Sequence, residues 1–374
     1  MDTRSHGRRC WTPLLLLTLA VGCSGERGSG PGGRPVATPR SVARSPLFVH
    51  FPELDDRIVE VDPGSGKALR TVYPDSWAPG VGRLLDFAVS PRGKLFGLVA
   101  GRQGADVPRL FVVNTRSGAL ERTVDLPPLP QSLSWDCAGR LWVGHATPPE
   151  GPPGQVSLVD AGKLAVVRRV PLEGAAASVA PLGRGALVIE RRVETLGDQV
   201  YVRSSLVALD GQGRVRRRRE LPPGAREAIL GPAGRLNVAH ASGPGTLATD
   251  GTVSVVDRES LEVVRRLRLE MVVRRMIPAG DRMVLNMLSS TGDVWIAVMD
   301  GRGKTLFDFR LGELVGPDLV VLGRAILIPL RRDQTLLRFP LDGRGKLPKL
   351  RIRGAESAGD RLGMIRTWMT CDGA

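Results

Sequence analysis

Aromatic residues make up only 4% of this 374-residue chain, and tyrosine occurs twice. A surface that stacks single-stranded bases needs aromatic platforms, so nucleic acid is a poor fit as a partner. No segment reaches the ~18 consecutive apolar residues that a membrane-spanning helix requires. P-loop, G-x-S-x-G and H-E-x-x-H motifs are absent, which removes the usual sequence signatures of phosphate-binding, serine-hydrolase and zinc-protease chemistry. Lysine is sparse as well: Lys67, Lys94, Lys163, Lys304, Lys346 and Lys349 are the only ones, and arginine supplies most of a formal charge of +15.

What the chain does have is repetition. Seven segments carry an apolar strand, an Asp or Asn turn and a second, Arg-rich strand, as in RIVEVDPGSGKALRTVY, VSLVDAGKLAVVRRVPL and VSVVDRESLEVVRRLRL. Aligned at the turn, they give Asp62, Asn114, Asp160, Asp210, Asp257, Asp300 and Asp342. Alternating Val, Ile and Leu suit a pleated strand, and the acidic or amide residue caps a glycine-containing turn. A second hairpin lies between copies, as in LLDFAVSPRGKLFGLVAG and SLSWDCAGRLWVGHA. Each unit is therefore four strands, A to D, and a period of roughly 40–50 residues with four strands per unit predicts a β-propeller. One such sheet cannot bury both of its faces, so the units must stack around an axis.

Six complete A–D sets fall at 84–126, 130–172, 175–221, 226–269, 273–311 and 316–352, whereas the segment before them supplies only B, C and D. The missing A strand is expected from the C-terminus, where GMIRTWMTCDGA ends on a Cys-Asp-Gly that matches the turn in WDCAGR. The fold is thus predicted as an all-β, seven-bladed propeller over residues 46–374, with six blades as the alternative. Met364–Met369 should pair with Leu47–Phe51, which removes the open edge between the first and last blades. Cys137 and Cys371 then occupy the same turn position two blades apart. That is beyond the ~7 Å Cα reach of a disulfide, and they are expected to be unpaired.

The N-terminus reads as a separate module. Arg4, Arg8 and Arg9 precede an apolar stretch from Trp11 to Val21, too short to span a bilayer, and Ala20-Val21-Gly22-Cys23 has the form of a lipoprotein cleavage site. Residues 1–23 are read as a lipoprotein signal with Cys23 the lipidated residue. Residues 24–45, rich in Gly, Pro, Ser and Arg, are read as a tether unable to build a core. A lipid-anchored monomer of the bacterial cell envelope is expected, on the periplasmic side of the outer membrane if the cell is Gram-negative.

Several hairpins carry a family likeness. AGRLWVGHA and PRGKLFGLVAG resemble the dGxlwv hairpin of NHL-type and gluconolactonase-like propellers, DDRIVEVDPGSG resembles the NHL hairpin that follows it, and VSVVDRESLEVVRRLRL is similar to the YVTN-type repeat of bacterial surface proteins. The likeness covers about residues 45–370 and implies the propeller fold rather than an activity. Gluconolactonase-like propellers use Glu, Asn and Asp ligands around their axis, and those positions find no match here. The regular tryptophan-docking signature of quinoprotein-like assembly lipoproteins is also missing.

Many arginines fall on D strands, the outermost of each blade, where charge blocks edge-to-edge pairing. Alternatively they form a basic belt for an anionic partner. The longer connections are B–C or D–A, Arg191–Ser204 among them, and they emerge on one face, where binding usually resides. At the ends of three successive B strands stand His145, Glu190 and His240, with His50 near the same position in blade one. Imidazole and carboxylate together suit a divalent metal at the axis, while no other cofactor is expected. Two function classes follow. The first is a non-enzymatic envelope lipoprotein whose propeller face binds a protein, peptide or glycan; the alternative is a metal-dependent hydrolase or lactonase.

Overall fold

The computed structural model describes residues 45–367 apart from 53–56, 74–82, 91, 100–106, 137, 148–152, 197–198, 242–250, 313–314, 317, 331–332, 346–347 and 356–361. Cys23, Cys137 and Cys371, with the expectations attached to them, lie outside these residues. Seven antiparallel four-stranded sheets form the blades of a propeller. Six are consecutive in sequence, and one is composite: Ile365–Thr367 is followed in space by Leu47–Phe51, Arg57–Val61 and Ala68–Tyr73. The predicted closure is therefore present over Ile365–Thr367, with Leu47 opposite Thr367, Phe48 opposite Arg366 and Val49 opposite Ile365, while Trp368 and Met369 lie outside the described residues.

Seven apolar clusters hold the ring, and each lies between two neighbouring blades. The B strands show why. In Arg140–His145, Leu141 and Val143 pack toward the preceding blade while Trp142 packs toward the following one, so both faces of the strand are buried. At the closing seam, Leu47, Val49 and Phe51 meet Val320, Leu327 and Leu350, with Ile365 in the same cluster. Trp135 stacks on Phe96 at 5.1 Å between ring centroids, across the seam between blades two and three.

The turn residues cap as expected. Asp62 Oδ1 accepts the amides of Gly64 and Ser65 at 2.9 and 2.7 Å, and Asn114, Asp160, Asp210, Asp257, Asp300 and Asp342 accept turn amides in the same way. A register shift sits at the start of the D strand beside most of these turns, and an arginine follows it in five blades. Four of these arginines donate across to the turn of the next blade. Arg70 donates to Arg116 O at 2.5 Å and Arg122 to Lys163 O at 3.0 Å, while Arg217 and Arg265 donate to the carbonyls of Glu259 and Arg302. Part of the D-strand charge is thus an inter-blade latch, beyond the edge charge and basic belt considered from sequence.

A second latch runs along the A strands near the axis. Asp86 accepts the amide of Leu133 at 3.3 Å, Glu227 that of Met276 at 2.6 Å and Asp318 that of Ile365 at 3.0 Å. In each case a carboxylate of one blade holds the backbone of the next.

Candidate functional site

In an antiparallel meander the A–B and C–D turns share one face of the ring, and the B–C and D–A connections share the other. The candidates His145, Glu190 and His240 all lie on the connection face, at equivalent B-strand ends: they pair with Pro130, Ala176 and Ala225 beside the same A-strand register shift. Each turns toward the D–A connection that enters its own blade. His145 Nδ1 donates to Pro128 O at 3.0 Å, and its Nε2 accepts from Ser157 Oγ at 2.9 Å. Glu190 accepts the amides of Glu173 and Gly174. His240 faces the carbonyls of Pro222 and Pro223, without closing a hydrogen bond of full geometry.

Burial lowers the pKa of both histidines, against the neighbouring proline carbonyls that favour their protons, and it raises that of Glu190 against the Gly174 amide. A Ser–His pair at hydrogen-bond distance is an ingredient of nucleophilic catalysis. Here Ser157 is 0% exposed and His145 1%, so the pair clasps a connection inside the blade. His50 is one residue out of register with the other three. Leu47 pairs with Val61 as Leu141 pairs with Val159, which makes Phe51 the counterpart of His145 and places His50 on the opposite strand face, against Gly363. Among the described residues, no three His, Cys, Asp or Glu side chains form a group able to hold a metal.

The segment read from sequence as a long B–C loop in blade four is a ribbon instead. Strands Gly185–Leu196 and Gln199–Leu209 stay paired from Arg191 opposite Ser204 out to Leu196 opposite Gln199. The signal was in the chain: Val193, Thr195, Val200 and Val202 alternate with polar residues, a period-two pattern. One face of the ribbon carries Val193 and Val202, directly opposed and 65% and 43% exposed, and Tyr201 on the other face is 45% exposed.

Ion pairs brace the ribbon at its base. Arg192 bonds Glu173 at 3.1 Å, Arg203 bonds Glu194 at 2.7 Å, and Arg218 lies 3.4 Å from Glu190. Glu173, Glu190, Arg192, Arg203, Ser205, Arg218 and Glu220 surround a cavity of about 300 Å3 there. Next to Arg192 on the same strand, Arg191 Nε donates to Ala225 O at 2.8 Å and ties the ribbon to blade five. The ribbon is therefore a paired projection braced at its base.

Sequence reasoning missed a charged chain along the A strands. Arg366 bonds Asp86 at 2.8 Å and also pairs with Asp318, while Arg275 bonds Glu227 at 2.9 Å and approaches Asp318 to 3.7 Å. Burial opposes the Arg366 charge, but the carboxylates of Asp318 and Asp86 outweigh it and hold its pKa above the ordinary arginine value. Burial also pushes Glu227 up, tempered by Arg275 and the Met276 amide. These residues are isolated charges in the sequence, and only ring closure brings blades five, six, seven, one and two into one sequence of alternating sign.

No family model and no curated protein matches the chain. Its fold is similar to that of solved structures. Hydrazine synthase of Kuenenia stuttgartiensis is 16% identical, with 71% of this chain and 77% of that chain covered and a TM-score of 0.54. A protein from Lactobacillus plantarum is 10% identical over 87% of this chain and all of that one (100%), with a TM-score of 0.56. The dihydro-heme d1 dehydrogenase NirN in complex with DHE is 13% identical over 90% and 77%, with a TM-score of 0.53. At such identities the likeness is one of fold alone.

Proposed function

We propose that this protein is a lipid-anchored envelope binding protein, held by acyl chains on Cys23, whose connection face takes a protein partner with the blade-four ribbon as the main contact. The observation that carries this reading is the ribbon: it is paired, braced by ion pairs, and exposes Val193, Tyr201 and Val202. Exposed apolar side chains on an already paired element fit a partner site, since pairing limits the ordering entropy lost on docking, and tyrosine is among the residues that dominate binding energy at interfaces. The sequence pattern around Cys23 supports the anchor, and several acyl chains on one residue suffice for stable attachment.

The test is a photo-crosslinking residue at position 201 in the full chain, compared with one at position 342 on the turn face. A discrete envelope-protein adduct from position 201, lost when Val193→Asp is added, is the expected result. No discrete adduct, or one unaffected by Val193→Asp, overturns the ribbon as the contact. Fractionation at high salt, which screens charge attraction to lipid, reads the anchor separately: Cys23→Ser should move the protein to the soluble fraction.

A further inference from the structure

The two faces of the ring differ in how they carry charge. Lys67, Lys163 and Lys304 lie in C–D turns, Lys94 follows an A–B turn, and Lys349 stands between the C and D strands of blade seven; Lys346 lies outside the described residues. None falls between a B and a C strand or between a D and an A strand. Arginines stand beside them on the same face: Arg116, Arg214, Arg258, Arg302 and Arg344 in C–D turns and Arg92, Arg184 and Arg324 in A–B turns, all exposed.

Carboxylates on this face are held close to the backbone. The capping aspartates bond their own turn amides, as Asp300 does with Arg302 and Lys304 at 2.9 and 2.8 Å. Lys and Arg carry their charge outward on long stems, so the outermost layer of the face is basic. Among the described residues, the exposed acids here apart from the caps are Glu121, Glu259, Glu262 and Asp281, and Glu121 and Glu262 are paired with Lys94 and Arg219.

The chain also enters the ring on this face. Leu47 opens a B strand, and B strands start where A–B turns lie, so Ser45 and Pro46 are at the turn face. Thr367 Oγ1 bonds Pro46 O at 3.0 Å and pins that entry point. We infer that the turn face is a docking surface for an anionic lipid bilayer and sits against the membrane that holds the anchor, with the ribbon turned away from it. The membrane as occupant rests on the lipid-anchored reading above; the basic layer and the chain entry do not. Basic side chains at a surface of anionic lipid attract it within about one Debye length.

The test uses the chain from position 23 onward with Cys23→Ser, so that neither the apolar signal segment nor an acyl chain contributes, and phosphatidylcholine vesicles with and without phosphatidylglycerol. Binding is expected only with phosphatidylglycerol and should fall steeply with added salt. Arg116→Gln, Arg302→Gln and Arg344→Gln together should weaken it on the order of a hundred-fold, from about five-fold per residue. These substitutions leave the latching carbonyls of Arg116 and Arg302 in place, and an unchanged melting temperature confirms the fold. Arg268→Glu, on the exposed rim, should leave binding within two-fold of the parent, roughly the scatter of one distant charge. No binding to phosphatidylglycerol vesicles, equal binding to phosphatidylcholine alone, or equal loss with Arg268→Glu overturns the inference. Retention by soluble polyglutamate without vesicle binding also overturns it, in favour of an acidic polymer.

Discussion

Asp300 illustrates what one side chain does at every C–D turn. Its carboxylate accepts two turn amides, and those bonds, that of Lys304 first, hold its pKa below the ordinary aspartate value. An acid depressed in the folded state contributes stability that is present above its unfolded pKa and is lost as the pH falls through the folded one. Asp210 and Asp257 are depressed too, so the turns should weaken together in acid, below the usual carboxylate range. Asn114 does the same capping without a titrating group. Asp300→Ala should therefore lower the melting temperature at neutral pH, whereas Asp300→Asn should restore most of it and flatten the acid dependence at that turn. A thermal melt of both variants across pH checks this, and an Asn variant as weak as Ala would show that charge matters more than the acceptor.

At the scale of the element, the same turn tolerates an unfavourable residue where packing repays it. Leu261 adopts φ 59°, in the left-handed region where the related turn of blade two has Gly118 at φ 71°. Gly in place of Leu261 would relieve about 1 kcal/mol of backbone strain. Yet Leu261 is fully buried against Ala208, Leu221 and Val256, and emptying such a site costs about 2–5 kcal/mol. Leu261→Gly should thus destabilise the protein by about 2 kcal/mol, which denaturant unfolding would measure; a stabilised variant would mean that strain governs. The hairpins were legible in the chain because turn residue and strand period agree at each copy. The blade-four ribbon carries its period-two pattern too, but its charged residues make the segment read as a solvated loop until cross-strand pairing is considered.

At the scale of the whole molecule, closure concentrates several interactions in three residues. Ile365 fills the apolar seam and bonds Asp318 through its amide, Arg366 joins Asp86 to Asp318, and Thr367 pairs with Leu47. Deleting the chain after Gly354 removes these and Leu362 as well. Each lost buried aliphatic side chain costs about 2–5 kcal/mol, and the carboxylates of buried Asp318 and part-buried Asp86, left without Arg366, add to that. Set against a typical margin of about 5–15 kcal/mol, the loss should unfold the ring as a unit. Differential scanning calorimetry of the truncated chain should show a melting temperature lowered by at least ~10 °C or no cooperative transition. A near-normal melt would mean that blade one stands without its innermost strand.

The repeat period, the capped turns, the number of blades and the donor of the missing strand were set by the order of residues alone, because turn chemistry and strand alternation are local properties. The equivalence of His145, Glu190 and His240 was legible for the same reason. What those side chains face was decided by the tertiary structure: a strand end can point to the axis or to an incoming connection, and only packing of the preceding D–A segment selects the connection. The chain of Arg366, Asp86, Asp318, Arg275 and Glu227 was likewise beyond the sequence, since Arg366 meets Asp86 only when the C-terminal strand completes blade one. Local pattern dictates the blades; the contacts between them exist only once the ring closes.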